Sequence, residues 1–159
     1  MDLLWITPKR FGTDLAGTTQ LGVSKALSKR GCNITLVAPD EDGQGANIVN
    51  EAGHMFHGVK RSRKPGLGSF TFARSLKRML PPIFLATKFD VGLVEWQCVS
   101  GSHRALNRAG IPWLIVDRSP PVFSSLTGRL QWIEYRRAWR LASKSPAIKG
   151  CVLKSQALA

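Results

Sequence analysis

Apolar positions in this chain fall into short runs separated by amphipathic stretches, and the alternation predicts its elements. Asp2-Leu3-Leu4-Trp5-Ile6-Thr7 is a run of buried-strand length that meets Pro8. A loop with two glycines follows over residues 8–17, then a helical pattern from Thr18 to Arg30 that Gly31 stops. Asn33-Ile34-Thr35-Leu36-Val37-Ala38-Pro39 reads as a second buried strand. Strand, loop, helix and strand in that order open a doubly wound sheet. Ligands in such sheets sit beyond the carboxyl ends of the strands, which makes the loop at 8–17 the first place to look for function.

The alternation continues to the end. Residues 40–45 form an acidic, glycine-containing turn, and His54 to Val59 suits a short third strand. A turn at Pro65-Gly66-Leu67-Gly68 leads into a helical pattern through Phe70, Phe72, Leu76 and Leu80, which Pro81-Pro82 is expected to end. Asp90 to Trp96 is a fourth strand, followed by a helix from Gln97 to Ala109 with Gly110 as its stop. Ile111 to Asp117 is a fifth strand, closed by the turn Arg118-Ser119-Pro120-Pro121. A helix from Gly128 to Ser143 is expected to aim Leu130, Ile133, Ala138 and Leu141 at the sheet, and Gly150 to Lys154 is a sixth strand. The prediction is one α/β domain over 1–159, Rossmann-like and doubly wound, with a mostly parallel sheet and helices on both faces. Ser155 to Ala159 reads as the cap and first turn of a further helix, so the chain is expected to be truncated before another domain.

Composition changes this picture mainly through charge. There are 23 Lys and Arg against 10 Asp and Glu, a formal net charge of +13. That balance points to a polyanionic partner, either nucleic acid or an anionic membrane surface. Every charged residue from Lys60 to Arg78 is basic, interleaved with Phe70, Phe72, Met79 and Leu80. Such a segment is either a solvated helix face or an amphipathic helix lying on an anionic bilayer. Cys32, Cys98 and Cys151 are odd in number and widely spaced, which suits a reducing compartment, and Cys32 and Cys151 read as inert core thiols. No apolar stretch approaches the roughly 18 residues of a spanning helix, and no basic region precedes the first apolar run. A cytoplasmic protein, peripheral on the inner membrane face at most, is the expectation. His54, His57 and His103 lack metal-ligand spacing, so no metal site is expected.

Candidate chemistry gathers at the strand ends. The first loop lacks both the dinucleotide fingerprint and the P-loop, which argues against NAD enzymes and P-loop NTPases. Gly12 and Gly17 either permit tight turns or let a ligand approach the backbone at a helix mouth that favours anions. Asp14 would accept a hydrogen bond from a substrate hydroxyl or stand as a solvated loop charge. Glu95 and Asp117 end the fourth and fifth strands, where carboxylates suit catalysis, and a salt bridge is the structural alternative for Glu95. Arg118 could hold a phosphate or pair with Glu95. Trp96 could stack on a sugar ring, whereas Trp5 and Trp113 read as core.

Several local sequences resemble, in order, the N-terminal domain of GT-B glycosyltransferases with a family-4-like fold. They are "LLWITP", "QLGVSKALSKRGCNITLVAPD", "FDVGLVEWQ", "NRAGIPWLIVD" and "CVLKSQALA", spread over nearly the whole chain. Ala16-Gly17 stands where that family has Gly-Gly, and Glu95 where many of its members carry His. The resemblance implies an acceptor-binding half of a hexosyltransferase-type enzyme that moves a sugar from a nucleotide-sugar donor to a glycan or lipid-linked acceptor. From their places at the strand ends and in the first loop, Glu95 and Asp117 are the candidate catalytic residues and Gly12, Asp14, Gly17, Trp96 and Arg118 the candidate substrate-binding ones; of these the resemblance itself matches Gly17, at the family's second glycine. No cofactor is implied beyond the donor as co-substrate. The partner would be a C-terminal donor-binding domain, whose paired glutamates have no counterpart here, so the chain alone should be inactive. The alternative is a basic Rossmann-like module that binds nucleic acid, against which stands the lack of recognisable RNA or DNA motifs.

Overall fold

The computed structural model describes residues 1–64, 67–118, 120–121 and 126–153. Six strands form one sheet: β1 (Asp2–Ile6), β2 (Asn33–Pro39), β3 (Met55–Val59), β4 (Val91–Glu95), β5 (Trp113–Asp117) and β6 (Ile148–Leu153). Their order is β3-β2-β1-β4-β5-β6 and every pairing is parallel. Five helices connect them: α1 (Leu15–Ser28), α2 (Gln44–Glu51), α3 (Gly68–Ala86), α4 (Val99–Arg108) and α5 (Leu126–Ser143). This is the expected α/β Rossmann-like architecture.

Alternation along each strand divides the core in two. Leu4, Ile6, Val94 and Ile115 pack with Leu76 and Leu80 of α3, Leu106 of α4 and Ala138 of α5. Leu3, Trp5 and Leu36 point the other way, toward Leu21 and Leu27 of α1 and Val49 of α2. Parallel strands covered on both faces need apolar side chains at nearly every position, which is why β1 and β2 read as largely apolar runs, broken within β2 only by Thr35. Trp113 and Trp5 are buried, as expected.

Four expectations need correction. Pro81 and Pro82 lie inside α3, which continues to Ala86. The prolines face solvent, and Lys77 and Arg78, whose carbonyls lose their helical donors, are exposed where water can serve them. Burial of Leu80 before the pair and Ile83 after it holds the helix through the break. The acidic turn leads into a helix, α2, that the apolar pattern is too short to signal. On α5, Ala138 and Leu141 pack on the core as expected, but Leu130 and Ile133 face outward, and Tyr135, Trp139 and Ala142 take the remaining core positions. Cys151 is exposed because β6 is an edge strand, and Cys32 is half-buried, so Cys98 is the core thiol. The expected turn at 65–66, Ser119 of the turn after β5, Lys154 of the sixth strand and the helical turn at 155–159 lie outside the described residues.

Candidate functional site

The strand order reverses between β1 and β4, and the carboxyl ends of these paired strands lie beside the start of α1. A cavity of about 540 Å3 opens there, lined among others by Trp5 of β1, Glu95, Trp96, Asp117, Arg118 and Ala16 of α1. Four of the residues singled out in the sequence (Glu95, Trp96, Asp117 and Arg118) therefore meet in one place.

Glu95 is the electrostatic centre of this cavity. It is 3% exposed and forms an ion pair with Arg118, Nη2 to Oε1 at 3.5 Å. Gln20 Nε2 also donates to Oε1 and, at 2.8 Å, to Thr7 Oγ1, which accepts from the Lys9 N–H at 3.2 Å as well. Burial raises the Glu95 pKa above its ordinary value, while Arg118, Lys9 and the bonds from Thr7 and Gln20 pull it back. Desolvation wins, so this is a carboxyl whose proton affinity is lifted in a cavity, the condition a general base or acid requires. The Cys98 thiol nearby is pushed well up by full burial and by the Glu95 charge, which keeps it unreactive. Arg118 also donates to the Ala16 carbonyl at 3.4 Å and sits over the Trp5 ring, 5.9 Å from its centroid. Its guanidinium thus ties the ends of β1, β4 and β5 to the helix mouth.

Asp117, 1% exposed, accepts from the Tyr135 hydroxyl through Oδ2, while its Oδ1 has no hydrogen-bond partner. The phenol pKa is pushed up to about 12, first by burial and then by the bond to Asp117 and its charge. Tyr135 also meets Trp96 edge-on at 5.3 Å between ring centroids, so one α5 side chain positions both an acid and an aromatic wall of the cavity.

The loop residues occupy other positions. Asp14 accepts from the Arg10 N–H through Oδ2 at 2.8 Å and closes its own loop. Gly17 is buried against that loop, where an added Cβ would stand 2.7 Å from the Arg10 carbonyl oxygen. Gly12, at φ +91°, lies against Ile48 of α2. Neither Gly12, Asp14 nor Gly17 lines the cavity, whose wall at the helix mouth is Leu15 and Ala16. Among the described residues no cluster of three His, Cys, Asp or Glu could hold a metal ion.

No family model matches this chain, and no curated protein matches it. Solved structures do share its fold. A UGT transferase from Siraitia grosvenorii, solved with UDP, is 15% identical over 86% of this chain and 32% of its own, with a TM-score of 0.55. MurG of Acinetobacter baumannii is 15% identical over 100% of this chain and 48% of its own, at 0.52. A protein from Listeria monocytogenes described as a UDP-N-acetylglucosamine 2-epimerase is 8% identical over 88% of this chain and 36% of its own, at 0.58. Likeness at this identity establishes the fold. It is the fold of GT-B glycosyltransferases, shared with at least one other chemistry on a sugar nucleotide. The chain spans between a third and a half of the length of these proteins.

Sequence reasoning missed Thr7, Gln20 and Tyr135. A signal for Gln20 existed. The buried face of α1 is Gly17, Gln20 and Ser24, while its apolar Leu15 and Val23 are exposed and line the cavity. A helix whose polar side faces inward has a buried polar partner to meet, here Glu95. Tyr135 gave no such signal, since its contact with Asp117 at the end of β5 is set by how α5 packs on the sheet.

Proposed function

We propose that this chain is the acceptor-binding part of a glycosyltransferase, which moves a sugar from a nucleotide-sugar donor to a glycan or lipid-linked acceptor. The observation that carries the reading is the cavity at the strand-order reversal, where the raised carboxyl of Glu95, the carboxylate of Asp117 and the indole of Trp96 share one wall. Asp117 Oδ1, unsatisfied by protein, is suited to accept a hydrogen bond from a sugar hydroxyl once side chains yield to a ligand. Trp96 offers a ring face or edge to a pyranose. Glu95 would take the proton of the attacking hydroxyl. Leu15, Val23 and Val152 continue the wall as an apolar strip, which favours an acceptor with an apolar portion. Occurrence of the fold in glycosyltransferases, at about a third to half of their length, supports a division of labour in which a second domain grips the donor. Gly12, Asp14 and Gly17 then act by shaping the loop rather than by touching substrate.

Closing such a cleft expels water and protects the activated sugar, which one half alone cannot do. The purified chain, incubated with a panel of nucleotide sugars and candidate acceptors, should release no nucleotide. Robust turnover by the chain alone would overturn the half-enzyme reading.

A further inference from the structure

The second strongly charged feature of the molecule lies on the opposite side of the sheet from α1 and α2. Helix α4 packs against both α3 and α5, so the three form one layer. All charged residues of α3 and α4 are basic, and α5 carries a single acid, Glu134, already paired with Arg137 at 3.8 Å. The sequence marks only the stretch from 60 to 78, but folding adds Arg104 and Arg108 of α4 and Arg136 and Arg140 of α5 to it, all exposed. These cations are close enough to act together. His103 in the middle helix has its pKa lowered by burial first, and then by Arg104 of its own helix, Lys77 of α3 and Arg137 of α5.

Apolar side chains stand among the cations where no core needs them. Phe70, Arg74, Lys77, Pro81 and Leu85 recur at three- and four-residue spacing on the outer side of α3, with Phe70 66% and Leu85 90% exposed. On α5, Leu130 and Ile133 are 60% and 63% exposed on the same stripe as Arg137 and Arg140. This explains the failed expectation for Leu130 and Ile133. Aliphatic side chains gain nothing against a phosphate backbone or a stacked base, but they do gain from entering the acyl boundary of a bilayer while neighbouring cations stay at the headgroups. The helices on the other face of the sheet contrast with this. Within α1 Lys25 is the sole charged residue, and within α2 it is Glu51.

We propose that the outer face of the α3–α4–α5 layer docks flat on an anionic lipid bilayer. The proposal stands apart from glycosyl transfer and would survive its failure. Sedimentation with vesicles of phosphatidylcholine alone, or of phosphatidylcholine with phosphatidylglycerol, tests it at two salt concentrations. The chain should bind the anionic vesicles, lose them at high salt, and ignore the neutral ones. Lys77→Glu with Arg140→Glu should weaken binding about twentyfold or more, since each surface cation near an anionic leaflet is worth roughly a factor of five. Leu130→Ser with Ile133→Ser should weaken it severalfold at unchanged charge. Lys25→Glu with Lys29→Glu changes net charge equally on the other side and should bind like the parent. All six positions are exposed, and circular dichroism confirms the fold of each variant. Equal loss in both charge-reversed variants would show that net charge alone acts and would overturn the proposal. So would salt-sensitive binding of an RNA oligonucleotide by a chain that ignores the vesicles.

Discussion

Polar clusters close both ends of the sheet, and they differ in the water around them. At the amino end, Asp2 N–H donates to Asp90 Oδ2 and Asn33 Nδ2 donates to Asp2 Oδ1, each at 2.8 Å and exposed. A groove of about 430 Å3 lies beside them, lined among others by Asp2, Cys32, Asn33, Met55 and Phe89. At the carboxyl end, Thr7, Gln20 and Glu95 form a buried chain with Arg118 at its mouth. Both ends pair a carboxylate with a side-chain amide: Asp2 with Asn33 at one, Glu95 with Gln20 at the other. The exposed cluster exchanges each bond freely with water, so it ties strand ends together at little net gain. The buried cluster has no such exchange, so each member depends on the others and a proton becomes costly to remove from Glu95. Burial, more than residue type, separates a structural clasp from a site.

The contrast can be broken most severely at Arg118. Arg118→Met leaves Glu95 buried without its counter-charge and should cost about 2–3 kcal/mol at neutral pH, the lower range for a broken pair because Arg118 is one quarter exposed. Urea unfolding measures it, and a cost below about 0.5 kcal/mol would place the pair with ordinary surface bridges.

Next in size is Gly17→Ala, whose Cβ must displace the Arg10 carbonyl. A loss of about 1–3 kcal/mol is expected, with the loop shifted and the sheet unchanged. A neutral substitution would contradict the packing role assigned to Gly17.

Glu95→Gln sharpens the comparison through pH. Because the folded-state pKa of Glu95 is raised, folding takes up a proton, and that contribution is fully present below the ordinary value of 4.5. It is lost as pH rises through the raised value. The difference in stability between Glu95→Gln and the parent should therefore grow in favour of Gln across this window and level off above it. A flat difference would mean that Glu95 is not desolvated. The smallest effect belongs to the exposed end, where Asp90→Ala should cost about 0.5 kcal/mol with no change at the other end.

The fold was legible because parallel strands buried on both faces leave continuous apolar runs, and Gly31 and Gly110 mark helix ends plainly. Helix α3 was misread at Pro81 because the sequence shows the missing donors but not the burial of Ile83 that compensates for them. Half of the site was legible for a topological reason. Glu95 and Asp117 end adjacent strands of a parallel sheet, so their proximity follows from strand order. The glycine loop misled because flexible backbone near a helix mouth serves turns and ligands alike. Tyr135 was hidden because its partner is set by packing between elements, whereas the inward polar side of α1 pointed to Gln20.

Indole NMR signals test the central claim most directly, since the chain's five tryptophans include two at the cavity and one, Trp113, in the core. Titration with short alkyl glycosides, below their micelle concentrations, should shift the Nε1–H resonances of Trp5 and Trp96 and leave that of Trp113 in place. The shifts should vanish in Asp117→Asn, which keeps the volume and removes the charge. Shifts confined to backbone amides around Cys32 and Asn33 at the amino end of the sheet would contradict the account and move the binding site to the other end.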